Sequence, residues 1–233
     1  MRQHGVPLAG LVGTSMGAVV AALAGTGADL DRLVDFALAF PWGNLLDPGL
    51  SGLGLADGGK ALAALDLLTQ GKSFAQLDTP AWVVATDLEA GTPVILREGP
   101  VAPAVRASIS VPGVFTPYRL GGRDLIDGGV VAGVPVEIAR GMGRPVVAVD
   151  VGFDFGTRKV RHFLDVLTKV VRIMGSELDR RQVALADLVI RPDVGQVGSA
   201  QFDLAPECIA AGRRAAEEAL PELWGLLATA QDG

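Results

Sequence analysis

A chain of 233 residues, 49% hydrophobic and 20% charged, has the apolar material for one large core, and a single domain across 1–233 is the expectation. A net charge of −6 without any run of Lys or Arg excludes a nucleic-acid partner, because affinity for a phosphate backbone needs clustered cations. Cys208 is the only cysteine, which excludes an internal disulfide and makes a cytoplasmic location the expectation, and no apolar run reaches the roughly 20 residues that span a bilayer.

Residues 6–12 form a short apolar run ending at Gly13, and 18–24 is a run of small helix formers, so the start reads as strand, sharp turn, helix. Asp29 or Asp31 caps a second helix over 30–40, stopped by Pro41; the Gly/Leu-rich passage 42–59 reads as loop with short helical turns. Residues 81–86 and 92–96 form two strands around a turn at 89–91, followed by a helix over 103–108. Residues 118–126 alternate about Gly121-Gly122, a hairpin signal because both glycines accept positive φ. Then come a short helix over 134–140, a buried strand over 145–150, a long helix over 160–185, a strand over 187–192 and a closing helix over 209–227. Strands and helices alternate, so the expected class is α/β with a mainly parallel central sheet covered on both faces.

Gly13-Thr-Ser-Met-Gly17 fits the G-x-S-x-G elbow, in which flanking glycines permit a strained strand-to-helix turn that lifts the serine hydroxyl clear of the sheet. The plain alternative is a glycine turn whose serine caps the next helix. Position favours the elbow: Ser15 Oγ would meet the positive helix end, and the Met16 N–H could donate to a developing oxyanion. Serine needs a base to become a nucleophile at neutral pH. The chain holds two histidines; His4 lies at the start, and His162 on a charged helical stretch keeps a histidine triad open. Asp127 is the better candidate base, since Gly128-Gly129 lets the backbone turn tightly and bring another segment to its carboxylate, although Asp-Gly is also ordinary turn chemistry. An aspartate of ordinary pKa, about 3.9, must be raised by burial or very closely placed to do this work. Asp87, Glu89, Asp150 and Asp154 lack metal-ligand spacing and read as turn carboxylates, so no metal site is expected. Ser108 and Ser110 read as structural, bonding the turn before Pro112, and Cys208 as a small packed residue.

In order along the chain, these residues resemble the patatin-like phospholipases, specifically the small bacterial members. Gly13-Thr-Ser-Met-Gly17 is similar to the family's nucleophile elbow, Ala85-Thr-Asp-Leu88 with Gly91 to its middle strand, and Ala107-Ser-Ile-Ser-Val-Pro-Gly-Val-Phe-Thr-Pro117 to its serine/proline segment. Asp127-Gly-Gly129 resembles the family's dyad motif, and Val134-Pro-Val136, Ala139-Arg-Gly-Met-Gly143 and Val147-Ala-Val-Asp-Val151 resemble the segments after it. The resemblance implies a three-layer α/β/α fold and a histidine-free dyad of Ser15 as nucleophile and Asp127 as general base. Gly13, Met16, Gly17, Gly128 and Gly129 would shape the elbow, the oxyanion donor and the turn after the aspartate, and the resemblance also allows Ser108 and Ser110 a position near the acyl pocket. It further implies hydrolysis of acyl esters in lipids such as phospholipids or lysophospholipids through an acyl-serine, with no cofactor. Lipid or acyl ester is the expected partner, met by peripheral contact at a membrane surface.

One departure stands out. The family carries a glycine-rich loop, roughly Gly-Gly-Gly-x-Arg-Gly, after a first strand and before the helix leading to the elbow strand, and only twelve residues precede Gly13 here. A truncated start, without that strand and without most of the oxyanion hole, is therefore expected. It sets a second expectation beside the hydrolase: a patatin fold that binds or regulates and turns over little.

Overall fold

The computed structural model describes residues 1–39, 47, 54–152, 163–195, 197 and 201–231. His162, Asp154 and most of the expected loop over 42–59 lie outside them. The first half runs β1 (Leu11–Thr14), α1 (Met16–Gly25), α2 (Leu30–Ala39), β2 (Gly54–Ala56), α3 (Gly59–Leu68), β3 (Ala81–Asp87), β4 (Pro93–Leu96) and α4 (Val101–Ser108). The second runs β5 (Gly113–Phe115), β6 (Tyr118–Leu120), β7 (Arg123–Asp127), α5 (Val136–Ala139), β8 (Val147–Val149), α6 (Phe163–Val183), β9 (Leu188–Ile190), α7 (Ala205–Glu218) and α8 (Leu220–Gln231).

The α/β architecture expected from the sequence is the one observed. A sheet of five strands has the order β1-β3-β7-β6, with β4 also paired to β3, and β2/β5 and β8/β9 form two small sheets. Pairing is parallel between β1 and β3, β2 and β5, and β8 and β9. It is antiparallel where the two hairpins supply the strands, at β3/β4, β3/β7 and β6/β7. Gly121 and Gly122 at the second hairpin have φ of 58° and 81°, the pair of positive angles that a two-residue turn matching strand twist requires. Among the described residues, β1 pairs on one side only.

Side chains alternate along β3, and this places the core. Val83 packs with Ala18 and Ala22 of α1, Leu65 of α3 and Val101, Ala102, Ala104 and Val105 of α4, all buried. Ala85 packs with Ala107 and Leu125. Trp82 points to the other face, where its ring lies beside Gly141 just past α5. A separate cluster of Val6, Leu188 and Leu223 ties the chain's start to β9 and α8.

Three expectations need correction. Only 11–14 of the first apolar run is strand; Pro7 has no N–H to give a ladder, and Val6 instead enters the cluster with Leu223. Within the passage read as loop, 54–56 is the strand β2, paired with β5, and helix α3, over residues for which no element was expected, follows with its Ala61 and Leu65 facing the core. The closing helix is two, α7 and α8, because Pro221 suits the first turn of a helix and not the interior of one. Asp29, not Asp31, caps α2, its carboxylate accepting the Asp31 N–H at 2.9 Å.

Candidate active site

At the end of β1 the chain must pass from strand to helix in one residue. Ser15 does so at φ 54° and ψ −123°, a backbone state that costs a non-glycine residue on the order of 1–3 kcal/mol. Neighbouring groups hold it. Its C=O accepts the N–H groups of Ala18 and Val19 at 2.9 and 3.2 Å, and its own N–H donates to Ser108 Oγ at 2.8 Å. Gly13 is required sterically, since a Cβ there would lie 2.1 Å from the Gly17 carbonyl oxygen. Gly17 is different: a Cβ on it would meet nothing within 4 Å, so the glycine keeps open space next to the serine.

The sheet register brings the other partner in. Thr14 pairs with Val84 across β1/β3, and Ala85 pairs with Asp127 across β3/β7, so the ends of β1 and β7 flank the same two residues of β3. Ser15 Oγ donates to Asp127 Oδ2 at 2.6 Å. The second carboxylate oxygen accepts the Gly129 N–H at 2.7 Å. Gly128 makes the passage possible, because a Cβ there would sit 2.3 Å from the Val84 carbonyl oxygen and 2.9 Å from Thr14 Cγ2. Asp127 is only 6% exposed. Burial pushes its carboxyl from an ordinary 3.8 up to about 6, against the opposing pull of the bonds from Ser15 and Gly129.

A lattice of buried hydroxyls surrounds this pair. Thr14 Oγ1 donates to the Ala132 carbonyl at 2.7 Å and Thr86 Oγ1 to the Asp127 carbonyl at 3.0 Å. Among the described residues no acceptor is assigned to the Met16 N–H, which opens α1 next to the half-exposed Ser15. A free amide at a helix start beside a serine hydroxyl suits an oxyanion. Met16 and Val20 are 50% and 61% exposed and give that side of the helix an apolar rim.

The structure thus brings Ser15, Met16, Asp127 and the glycines 13, 17, 128 and 129 into one place. Other residues singled out in the sequence stand apart. Asp87 caps its own turn by accepting the Glu89 and Ala90 N–H groups at 3.0 Å, Asp150 is bonded by Gly152 and Arg191, and Cys208 is half-buried on α7. Ser108, read from the sequence as a turn residue for which the resemblance also allowed a place near the acyl pocket, accepts the Ser15 N–H, a bond the sequence did not foretell. Its place in the Ala107–Pro117 stretch, similar to the family's serine/proline segment, was the available signal. Among the described residues no group of three or more His, Cys, Asp or Glu side chains could hold a metal ion, and no helix is long and apolar enough to cross a membrane.

Comparison with known proteins identifies the family. The profile of the family described as patatin-like phospholipase matches residues 1–140, a span that contains both Ser15 and Asp127. An NTE family protein of Mycobacterium tuberculosis is 37% identical over 145 residues, 61% of this chain and 40% of the relative. A second NTE family protein of the same organism is 27% identical over 252 aligned positions that cover 94% of this chain and 42% of the relative. The patatin-like phospholipase domain-containing protein 6 of Mus musculus is 29% identical over 161 residues, 65% of this chain and 12% of the relative. The chain therefore spans about two fifths of the length of the mycobacterial relatives it matches.

Proposed function

Since the chain belongs to the patatin-like phospholipase family, we propose that it is a lipid acyl hydrolase of the phospholipase, lysophospholipase or esterase type, working through a dyad of Ser15 and Asp127. The observation that carries the reading is the 2.6 Å bond from Ser15 Oγ to a buried carboxylate, formed by a serine held at φ 54°. A carboxyl poised at about 6 is mostly ionised at neutral pH yet basic enough to accept a proton.

Asp127 takes the hydroxyl proton as Ser15 Oγ bonds to the acyl carbonyl carbon, and the carbonyl electrons move onto oxygen, giving a tetrahedral oxyanion that the Met16 N–H stabilises. Collapse breaks the bond to the alkoxide, which leaves with the proton from Asp127, and an acyl-serine remains. Water then attacks while Asp127 accepts its proton; the second tetrahedral species releases the carboxylic acid, and the proton returns to Ser15 Oγ. No step requires histidine or a cofactor. A cytoplasmic setting is part of the proposal, supported by a chain whose single cysteine needs no oxidising compartment.

Hydrolysis of a short-chain p-nitrophenyl ester by the 233-residue chain, with Ser15→Ala and Asp127→Ala beside it, tests the reading. Turnover lost in both variants supports the dyad. Turnover that survives Asp127→Ala and disappears in His162→Ala would favour a histidine triad instead. A folded wild type without turnover on this ester or on phospholipid would favour a lipid-binding role.

A further inference from the structure

The strained serine and its base lie 112 residues apart, yet a single turn of helix reaches the main chain of both. Ser108, the last residue of α4, is fully buried; its Oγ accepts the Ser15 N–H at 2.8 Å and donates to the Val84 carbonyl of β3 at 2.6 Å. Two residues on, the Ser110 carbonyl accepts the Asp127 N–H at 2.9 Å. We propose that Ser108 is a positioning residue for the dyad: its hydroxyl, anchored on the central strand, fixes the backbone of the nucleophile, and the same turn fixes the backbone of the base.

The turn is itself made rigid from behind. Arg106, at 0% exposure, donates from Nη1 to Ser110 Oγ at 2.7 Å, from Nε to the Gly58 carbonyl at 3.1 Å and from Nη2 to the Asp57 carbonyl at 2.8 Å. Ser110 Oγ returns a bond to the Arg106 carbonyl at 3.0 Å. The guanidinium also lies 4.7 Å over the Phe115 ring and 5.4 Å over that of Tyr118, contacts that favour a cation stripped of water. With Arg106, Ser108 and Ser110 all buried, the separation of Ser15 Oγ and Asp127 is set by α4 and β3. Removing the Ser108 hydroxyl leaves the Ser15 N–H without its acceptor, and the backbone relaxes from its strained state toward an ordinary one. A displacement of about 1 Å at a reacting group can cost on the order of a hundred-fold in rate.

The proposal rests on the dyad reading, and the test separates the two. Ester turnover is measured for wild type, Ser15→Ala and Ser108→Ala, with Leu223→Ala as a destabilised control in the distant cluster. The expected result is a fall in kcat of roughly 30- to 100-fold for Ser108→Ala, with KM within about threefold, while Leu223→Ala loses stability and keeps kcat. Turnover that persists in Ser15→Ala would sink the dyad. A Ser15-dependent wild type whose Ser108→Ala variant keeps kcat within twofold, or loses it only in step with the folded fraction, would overturn the positioning role alone. Should the wild type turn nothing over, a crystal structure of Ser108→Ala decides: a lengthened Ser15–Asp127 separation supports the role, and an unchanged one overturns it.

Discussion

Around Ser15 and Asp127 the interior is tied together by hydroxyls and one guanidinium, whereas around β8, β9 and α8 it is tied together by methyl groups. In the first region Thr14, Thr86, Arg106, Ser108, Ser110 and Asp127 are all buried polar residues, each bonded to a carbonyl, an amide or another of the set. In the second, Val6, Leu188 and Leu223 pack with Met1, Leu8 and Leu220, and polar work is confined to the rim, where Arg144 pairs with Asp187. The contrast teaches what each kind of contact specifies. Apolar packing rewards any arrangement that keeps the surfaces dry and filled. A satisfied buried polar network rewards one set of distances, because an unmade bond in a dry interior is costly. Catalytic geometry calls for the second kind.

That contrast can be broken or sharpened by mutation, in decreasing order of effect on turnover. Ser15→Ala should remove ester hydrolysis by roughly 10⁴-fold or more, read as single-turnover rates on a p-nitrophenyl ester. Asp127→Asn should lower kcat by about a thousand-fold while raising thermal stability at pH 7, since the buried charge disappears. Moving the carboxyl from 3.8 to about 6 costs the folded state roughly 3 kcal/mol once ionised, at 1.36 kcal/mol per pH unit, and a calorimetric Tm several degrees above wild type would show its removal. A variant with lower stability and normal kcat would reverse the contrast.

The pH dependence follows from the same group. Folded Asp127 holds its proton more tightly than the unfolded chain does, so its contribution to stability is fully present below about 3.8 and is lost as pH rises to about 6. Turnover runs the opposite way, and kcat/KM should climb along an acid limb with an apparent pKa near 6. A stability profile for Asp127→Asn that keeps the wild-type fall between these values would assign it to another group. Leu223→Ala should cost about 2–5 kcal/mol in urea unfolding with kcat unchanged. Arg119→Ala, which breaks an exposed pair with Asp124, should leave both measurements within scatter.

Local signals carried much of this into the sequence. The elbow is legible because Gly13, Ser15 and Gly17 fall within five consecutive residues, and the Gly121-Gly122 hairpin because its turn residues state their own φ. The α/β class followed from alternating periods. What stayed hidden was long-range. The bond from Ser15 to Ser108 spans 93 residues, and nothing in the spacing of Ala107-Ser-Ile-Ser110 says which strand end it will meet. Burial of Asp127, which sets its pKa, also depends on packing from β1, β3 and α4 at once. Strand β2 escaped because its three residues sit in a glycine-rich passage that read as loop, and the break between α7 and α8 because a continuous helical period masked Pro221.

The glycines of the elbow and the dyad turn also divide the chain by how freely it can evolve. At positions 13 and 128 any side chain collides with main-chain atoms of the site, so those codons are closed to variation in a directed-evolution library. Position 17 is the opposite case: a side chain there grows into empty space beside Ser15. A library at that one codon would vary the exposed start of α1 without crowding the bonds that join Ser15, Ser108 and Asp127, making Gly17 the place to begin if the proposed hydrolase is to be retuned.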